Sequence, residues 1–235
     1  MIRGLTFTDE MMRAIDLGVK TQTRRLLKLP KWFDTLSWLV PEDRISRIIK
    51  STDAAGFWSI ILYEGKIEGG SKGGVFKAAQ DSPCRYGVPG DSLYTRQCYA
   101  YAQDGTQYGT NLLFRALGHT NPRFGKWRPA IFQPRDYARW VLKITDIRAQ
   151  RLCEISEADA AAECFGAGGR AIDKIFGRSL AAHLFRRPDT ARNTFFRAWD
   201  WIHGRGACEK NPFVWAITFK PMFVTDDNRQ ELLGA

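Results

Sequence analysis

The segment Arg139–Gln150 constrains the fold most. Trp140, Leu142 and Ile144 recur at every second position, and Ile147 resumes the apolar pattern after Thr145-Asp146, which makes this the longest strand candidate. A second β-rich run, Phe213–Phe219, follows Asn211-Pro212. Pro89-Gly90-Asp91 is a turn signature leading into a third, Ser92–Tyr101, and Phe57–Tyr63 reads as a further strand. Between the strands lie helix signals. Thr8 can cap a helix with Asp9 and Glu10 in its first turn, an apolar stripe of Met11, Met12, Ile15 and Val19, and Gly18 as its stop. Ser156 and Asp159 fit the capping signature of a helix running through Glu163 to Gly166. Pro41–Lys50 reads as a short helix, and two more are expected near Arg178–Arg187 and Thr190–His203. Strands separated by helices and long loops, without regular βαβ alternation, predict an α+β fold around a small closed sheet.

The 235 residues suit a single domain spanning 1–235. Residues from about 30 to 85 include the glycine-rich tract Gly69–Gly74 and have too few apolar side chains for a core of their own; they read as an irregular insertion. The longest apolar run, Phe57–Tyr63, is too short to cross a bilayer, and Met1–Glu10 lacks the apolar stretch of a secretory signal. Five cysteines form no C-x-x-C pair and are expected to be reduced, so the chain is expected to be cytoplasmic. His119, His183 and His203 have no partner at ligand spacing, and His203 with Cys208 reads as a surface turn around Gly204 and Gly206; no metal and no cofactor are expected.

The net charge of +10 points to an anionic partner. It is concentrated in two stretches of +5 each, Arg115–Arg139 and Arg170–Lys210. Both interleave arginine with rings, an arrangement that suits phosphate contact and base stacking. The same pattern also describes an ordinary helix with rings in the core and arginines in solvent. Arg128, Arg135 and Arg139 are the expected nucleic-acid contacts.

Several segments occur in a specific order: Gly18-Val19-Lys20-Thr21-Gln22-Thr23-Arg24-Arg25, then Tyr86-Gly87-Val88-Pro89-Gly90-Asp91-Ser92-Leu93-Tyr94-Thr95-Arg96, then Trp127-Arg128-Pro129 through Pro134-Arg135. Ile144-Thr145-Asp146-Ile147, Leu152 to Glu163, Phe196-Arg197-Ala198-Trp199-Asp200 and Asn211-Pro212-Phe213-Val214-Trp215 complete the series. In this order the chain resembles the ASCH domain family, and more closely its phage-encoded members. The resemblance covers most of the chain outside the insertion and implies a PUA-like fold, a small β-barrel flanked by helices. Two positions depart from the family pattern. Gln97 stands where glutamate is frequent, which removes a carboxylate, and Tyr94 stands where tryptophan is frequent.

The resemblance implies either a nucleic-acid module or an amidohydrolase that removes the acetyl group from N4-acetylcytidine. In the hydrolytic relatives a lysine, a threonine three residues later and a distant glutamate carry the reaction, and the matching residues are Lys20, Thr23 and Glu163. Amide hydrolysis needs a nucleophile, a base to deprotonate it and an acid to protonate the leaving nitrogen. A lysine serves as base only without its proton, a state favoured by burial and by neighbouring cations such as Arg24 and Arg25. A glutamate serves as acid only while it holds one, which an apolar pocket favours; Ala160, Ala161, Ala162 and Phe165 surround Glu163 in sequence. Residues three apart on a regular strand face opposite ways, so Lys20 and Thr23 converge only if the chain bends. Arg24 or a backbone N–H would stabilise the oxyanion. Thr21, Arg24 and Arg96 are assigned to substrate binding. The expected function is therefore a metal-independent amidohydrolase on N4-acylated cytosine nucleosides. The alternative is an RNA- or DNA-binding module, with or without ribonuclease activity, and a third reading is a phage accessory protein that binds a host protein through its insertion.

Overall fold

The computed structural model describes residues 2–27, the backbone of 45–50 and 58–62, then 84–101, 112–118, 126–166, 174–177 and 190–234. Its centre is a five-stranded sheet of β1 (Arg3–Thr6), β2 (Gln22–Leu26), β5 (Ser92–Arg96), β8 (Trp140–Arg151) and β9 (Phe213–Phe223), in the order β1-β5-β8-β9-β2. β1 lies parallel to β5 and every other neighbouring pair is antiparallel. β8 and β9 pair along their whole length, from Trp140 opposite Phe223 to Arg151 opposite Phe213.

The interrupted apolar pattern of β8 has a structural cause. Register shifts between Ile144 and Asp146, so Thr145 is the extra residue of a bulge. The bulge restores the inward face, and Ile144 and Ile147 are both buried although three residues separate them. On β9 every residue from Phe213 to Ile217 is buried, because both faces of the strand are covered. Ile217 and Phe219 join Leu5, Leu93, Leu142 and Ile144 under helix α1 (Asp9–Asp16). Val214 packs on the other side with Leu152, Ile155, Phe195 and Trp199.

The helices on that second side are α2 (Glu157–Ala162) and α3 (Ala191–His203). Ser156 caps α2 through its Oγ, which accepts from Asp159 N–H at 3.0 Å, and Thr190 caps α3 by accepting from Asn193 N–H at 3.2 Å. Thr8 caps α1 in the same way. Gly18, at φ +70, takes the left-handed conformation that turns the chain from α1 toward Lys20. A short α4 (Arg229–Leu233) follows β9.

Four expectations change. Ser92–Tyr101 is two strands, β5 and β6 (Tyr99–Tyr101), parted at Gln97-Cys98; β6 pairs with β7 (Leu112–Phe114). Pro41–Lys50 is not a short helix: Ile45–Lys50 is a strand, β3, paired with β4 (Trp58–Leu62), in keeping with the pleat preference of Ile45, Ile48 and Ile49. α2 ends at Ala162, and Glu163 is its C-cap. The fold is α+β as expected, but among the described residues the sheet does not close. β1 and β2 are its edges and do not pair, so these strands form no PUA-like barrel. The expected helix Arg178–Arg187 and the tract Gly69–Gly74 lie outside the described residues. Among the described residues no helix is long and apolar enough to cross a membrane.

Because Ile217 is fully buried between the layers, Ile217→Ala should lower the free energy of unfolding by about 2–5 kcal/mol. Ile131→Ala, at a residue 63% exposed, should change it by less than about 0.5 kcal/mol. Urea denaturation of the two variants checks the contrast.

Candidate functional site

The segment after Gly18 leaves α1 and meets two partners in succession. Lys20 forms an isolated bridge with Glu163, and Thr21 N–H donates to the Ala162 carbonyl at 2.9 Å. From Gln22 onward the chain pairs with β9 instead. This change of partner at Thr21 interrupts the strand alternation. Lys20, Thr23 and Arg24 are all buried and all line one cavity.

Glu163 reaches the same cavity from the end of α2. Its N–H closes the helix on the Asp159 carbonyl, and the next residue, Cys164, takes a φ of 86 that reverses the chain. For a residue other than glycine this is a strained conformation, and such residues cluster at functional sites. Glu163 Oε2 accepts from Lys20 Nζ at 2.5 Å and Oε1 from Arg24 Nη1 at 3.3 Å. Lys20 and Glu163 are 1% and 5% exposed at their side chains, so their pairing is nearly dry.

A second carboxylate supports the first. Asp159 lies one helical turn before Glu163 on the same face of α2. It accepts from Arg24 Nη2 at 3.2 Å, from Arg148 Nη2 at 3.0 Å and from Gln22 Nε2 at 3.0 Å. The Gln22 amide also donates to Thr218 and accepts from Arg24 Nη1 at 2.6 Å. Burial works to raise the Asp159 pKa. The hydrogen bonds from Gln22 and Arg148 and the charges of Arg148 and Arg24 outweigh it and hold the carboxyl below its usual range. Burial lowers the Arg24 pKa, against the opposing pull of Glu163 and Asp159. Arg24 Nε is buried without a hydrogen-bond partner among the described residues.

The cavity holds about 390 Å³, within the range of small-molecule sites. It lies between the two edges of the sheet: Thr6, Phe7 and Thr8 from the β1 end face Thr23 to Leu26 of β2. Phe165, Phe195, Trp199 and His203 supply an aromatic wall, and His203 lies against Trp199 with ring centroids 4.2 Å apart. Burial, and then the charge of Arg25, hold the His203 pKa below its ordinary value, so the ring is neutral at pH 7. Burial pushes the adjacent Cys164 thiol up to about 12, which leaves it inert as a nucleophile. Among the described residues no group of three His, Cys, Asp or Glu side chains could hold a metal ion.

The structure thus brings Lys20, Thr23, Glu163 and Arg24 together. The Lys20 ammonium bonds Glu163 and not Thr23, whose hydroxyl has no hydrogen bond among the described residues. Thr21 and Arg96 do not line the cavity. Thr21 spends its backbone on Ala162 and Phe219, while Arg96 lies over the Tyr94 ring and bonds its hydroxyl. The three arginines expected on nucleic acid lie apart from this cavity. Arg139 is held by Asp16 at 2.9 Å, Arg128 lies over Tyr101, and Arg135 stands 3.7 Å from Asp136. Sequence reasoning missed Gln22, Asp159, Arg148 and the aromatic wall from α3. The four-residue spacing of Asp159 and Glu163 was the available signal for the carboxylate pair.

The lowered Asp159 pKa sets the sign of a pH effect. Its contribution to stability is present above the unfolded carboxylate range, about pH 4, and is lost as pH falls through the lower folded value. Asp159→Asn should therefore melt below wild type at pH 6–7, with the gap in Tm narrowing below about pH 4. A gap constant from pH 3 to pH 7 would show that the carboxylate's charge contributes nothing. Comparison of the chain with protein-family models, curated proteins and solved structures finds no match in any of the three.

Proposed function

We propose that this cavity is the active site of an amidohydrolase acting on N4-acylated cytosine nucleosides, in a chain of ASCH type. What supports the reading is one observation: Lys20 and Thr23, and Glu163 far from both in sequence, line a single cavity with Lys20 Nζ 2.5 Å from Glu163 Oε2. These are the three residues to which the resemblance assigns the reaction.

The pairing suits the chemistry. Passing one proton from Nζ to Oε2 converts the ion pair into a free amine and a carboxylic acid, the two forms the reaction uses, with no change in net charge. The amine then takes the proton of Thr23 Oγ1 as that oxygen attacks the acyl carbonyl carbon. The carboxylic acid protonates N4 as the C–N bond breaks, releasing cytidine and leaving an ester on Thr23. The ion pair is thereby restored. In the second half water attacks the ester after the same internal transfer. Lys20 takes the water proton, Glu163 returns a proton to Thr23 Oγ1, and the carboxylic acid leaves. Arg24, held by Gln22 and Asp159, fixes the Glu163 carboxylate, and its unpartnered Nε is a donor near the reacting carbonyl. The aromatic wall suits a planar base.

A nucleic-acid surface is the second reading. Phe132, 67% exposed, lies between Arg128 and Arg135 on the loop before β8. If that surface grips RNA, affinity for a short single strand falls steeply with salt; a flat dependence would exclude it.

The direct test of the first reading incubates the protein with N4-acetylcytidine in the presence of a chelator and follows cytidine release. Lys20→Ala and Thr23→Ala should each abolish turnover, and Lys20→Arg should be as damaging because arginine does not give up its proton. Near-normal turnover in a folded Lys20→Arg variant would remove lysine as the base. Glu163→Gln should lower kcat by about 10²–10⁴ with little change in KM, the cost of losing a general acid. Wild-type kcat in that variant would make the carboxylate purely structural.

A further inference from the structure

The cations around the cavity are unequally matched. Lys20 and Arg24 meet Glu163 and Asp159 at its base. Arg25 and Arg85 also line it, and among the described residues neither has a carboxylate partner. Arg25 lies over the Phe7 ring, 5.1 Å from its centroid, and one Nη donates to the Thr6 carbonyl at 2.5 Å, while its buried Nε bonds nothing among the described residues. Arg85 is exposed and lies over Tyr86, another lining residue, with its guanidinium 5.4 Å from the ring centroid. Burial raises the Tyr86 pKa, and the charges of Arg25 and Arg85 oppose it.

A part-buried guanidinium without a counter-ion is costly in an empty cavity and favourable opposite an anion. The planar fork of arginine matches a phosphate oxygen pair, and a second arginine lining the same cavity adds further donors and charge. The aromatic wall takes a base, the Lys20–Glu163 end takes the acyl group, and the remaining end carries positive charge. We propose that the ligand of this cavity is phosphorylated, a cytosine nucleotide whose phosphate is held by Arg25 and Arg85. The phosphate belongs either to a free nucleotide or to a nucleic-acid strand with its base in the cavity. This rests on the amidohydrolase reading for the base end only.

The test measures binding of unacylated ligands, so it does not depend on turnover. Cytidine, cytidine 5′-monophosphate and a short single-stranded oligocytidylate are titrated calorimetrically against the full chain at two salt concentrations. The monophosphate should bind about tenfold or more tightly than cytidine at low salt, with the advantage shrinking at high salt. Arg85→Ala, at an exposed position, should lose most of that advantage, and Arg25→Gln the remainder. Arg25→Lys, which keeps the charge, should retain part of it if Arg25→Gln proves poorly folded. A monophosphate preferred over the strand identifies a free nucleotide; the reverse identifies a nucleic acid. Equal binding of cytidine and its monophosphate, or an advantage that survives Arg85→Ala, overturns the proposal. Hydrolysis of N4-acetylcytidine with no phosphate preference would sink this inference alone. A phosphate preference without hydrolysis would sink the amidohydrolase reading alone.

Discussion

The nearly dry pair of Lys20 and Glu163 is the interaction on which the arrangement depends. Taking two charges out of water costs several kcal/mol per ion after relaxation, and one contact seldom compensates for it. Here the pair is embedded in a set of alternating charges. Arg24 bonds both Glu163 and Asp159, Arg148 meets Asp159 from outside, and the Gln22 amide bridges Arg24 and Asp159. The set is assembled from β2, β8 and the end of α2, so it exists only once α2 has docked on the sheet edge. Docking and site formation are one event.

The same cluster limits substitution. Replacing one member leaves another buried and uncompensated, which is more damaging than never having had the pair. It also separates the roles of two neighbouring arginines in one short motif. Arg24 is committed to carboxylates beneath the cavity, whereas Arg25 faces the cavity with no carboxylate partner among the described residues.

Local signals were legible in the sequence where local physics decided the outcome. The caps at Thr8, Ser156 and Thr190 follow from hydroxyls before helical runs, and the break after Ile144 corresponds to the bulge at Thr145. Legibility failed where a distant partner decided. The bend that unites Lys20 and Thr23 comes from a bond to the Ala162 carbonyl, which no pattern around Lys20 announces. Pro41–Lys50 carries helix-compatible spacing, but Ile45, Ile48 and Ile49 find a partner strand in β4. Closure of the sheet depends on how its edges meet in space, which neither the strand pattern that suggested a closed sheet nor the resemblance that implied a barrel could fix. On α3, the ring pattern left Phe195 open between core and base stacking; Phe195 and Trp199 are core, and both also line the cavity.

Among the described residues β2 is an edge strand, and edge strands tend to recruit further strands from other molecules. Inward-pointing charge is one of the devices that discourage such pairing, because a sheet extended past that strand would have to bury the charge without its partners. Arg24 is an inward-pointing charge of this kind, with Lys20 two residues before the strand and Arg25 beside it. The residues proposed for chemistry therefore stand where such a device is useful. An alanine placed here for mechanistic reasons also removes an edge charge, so the solubility of each variant belongs beside its activity.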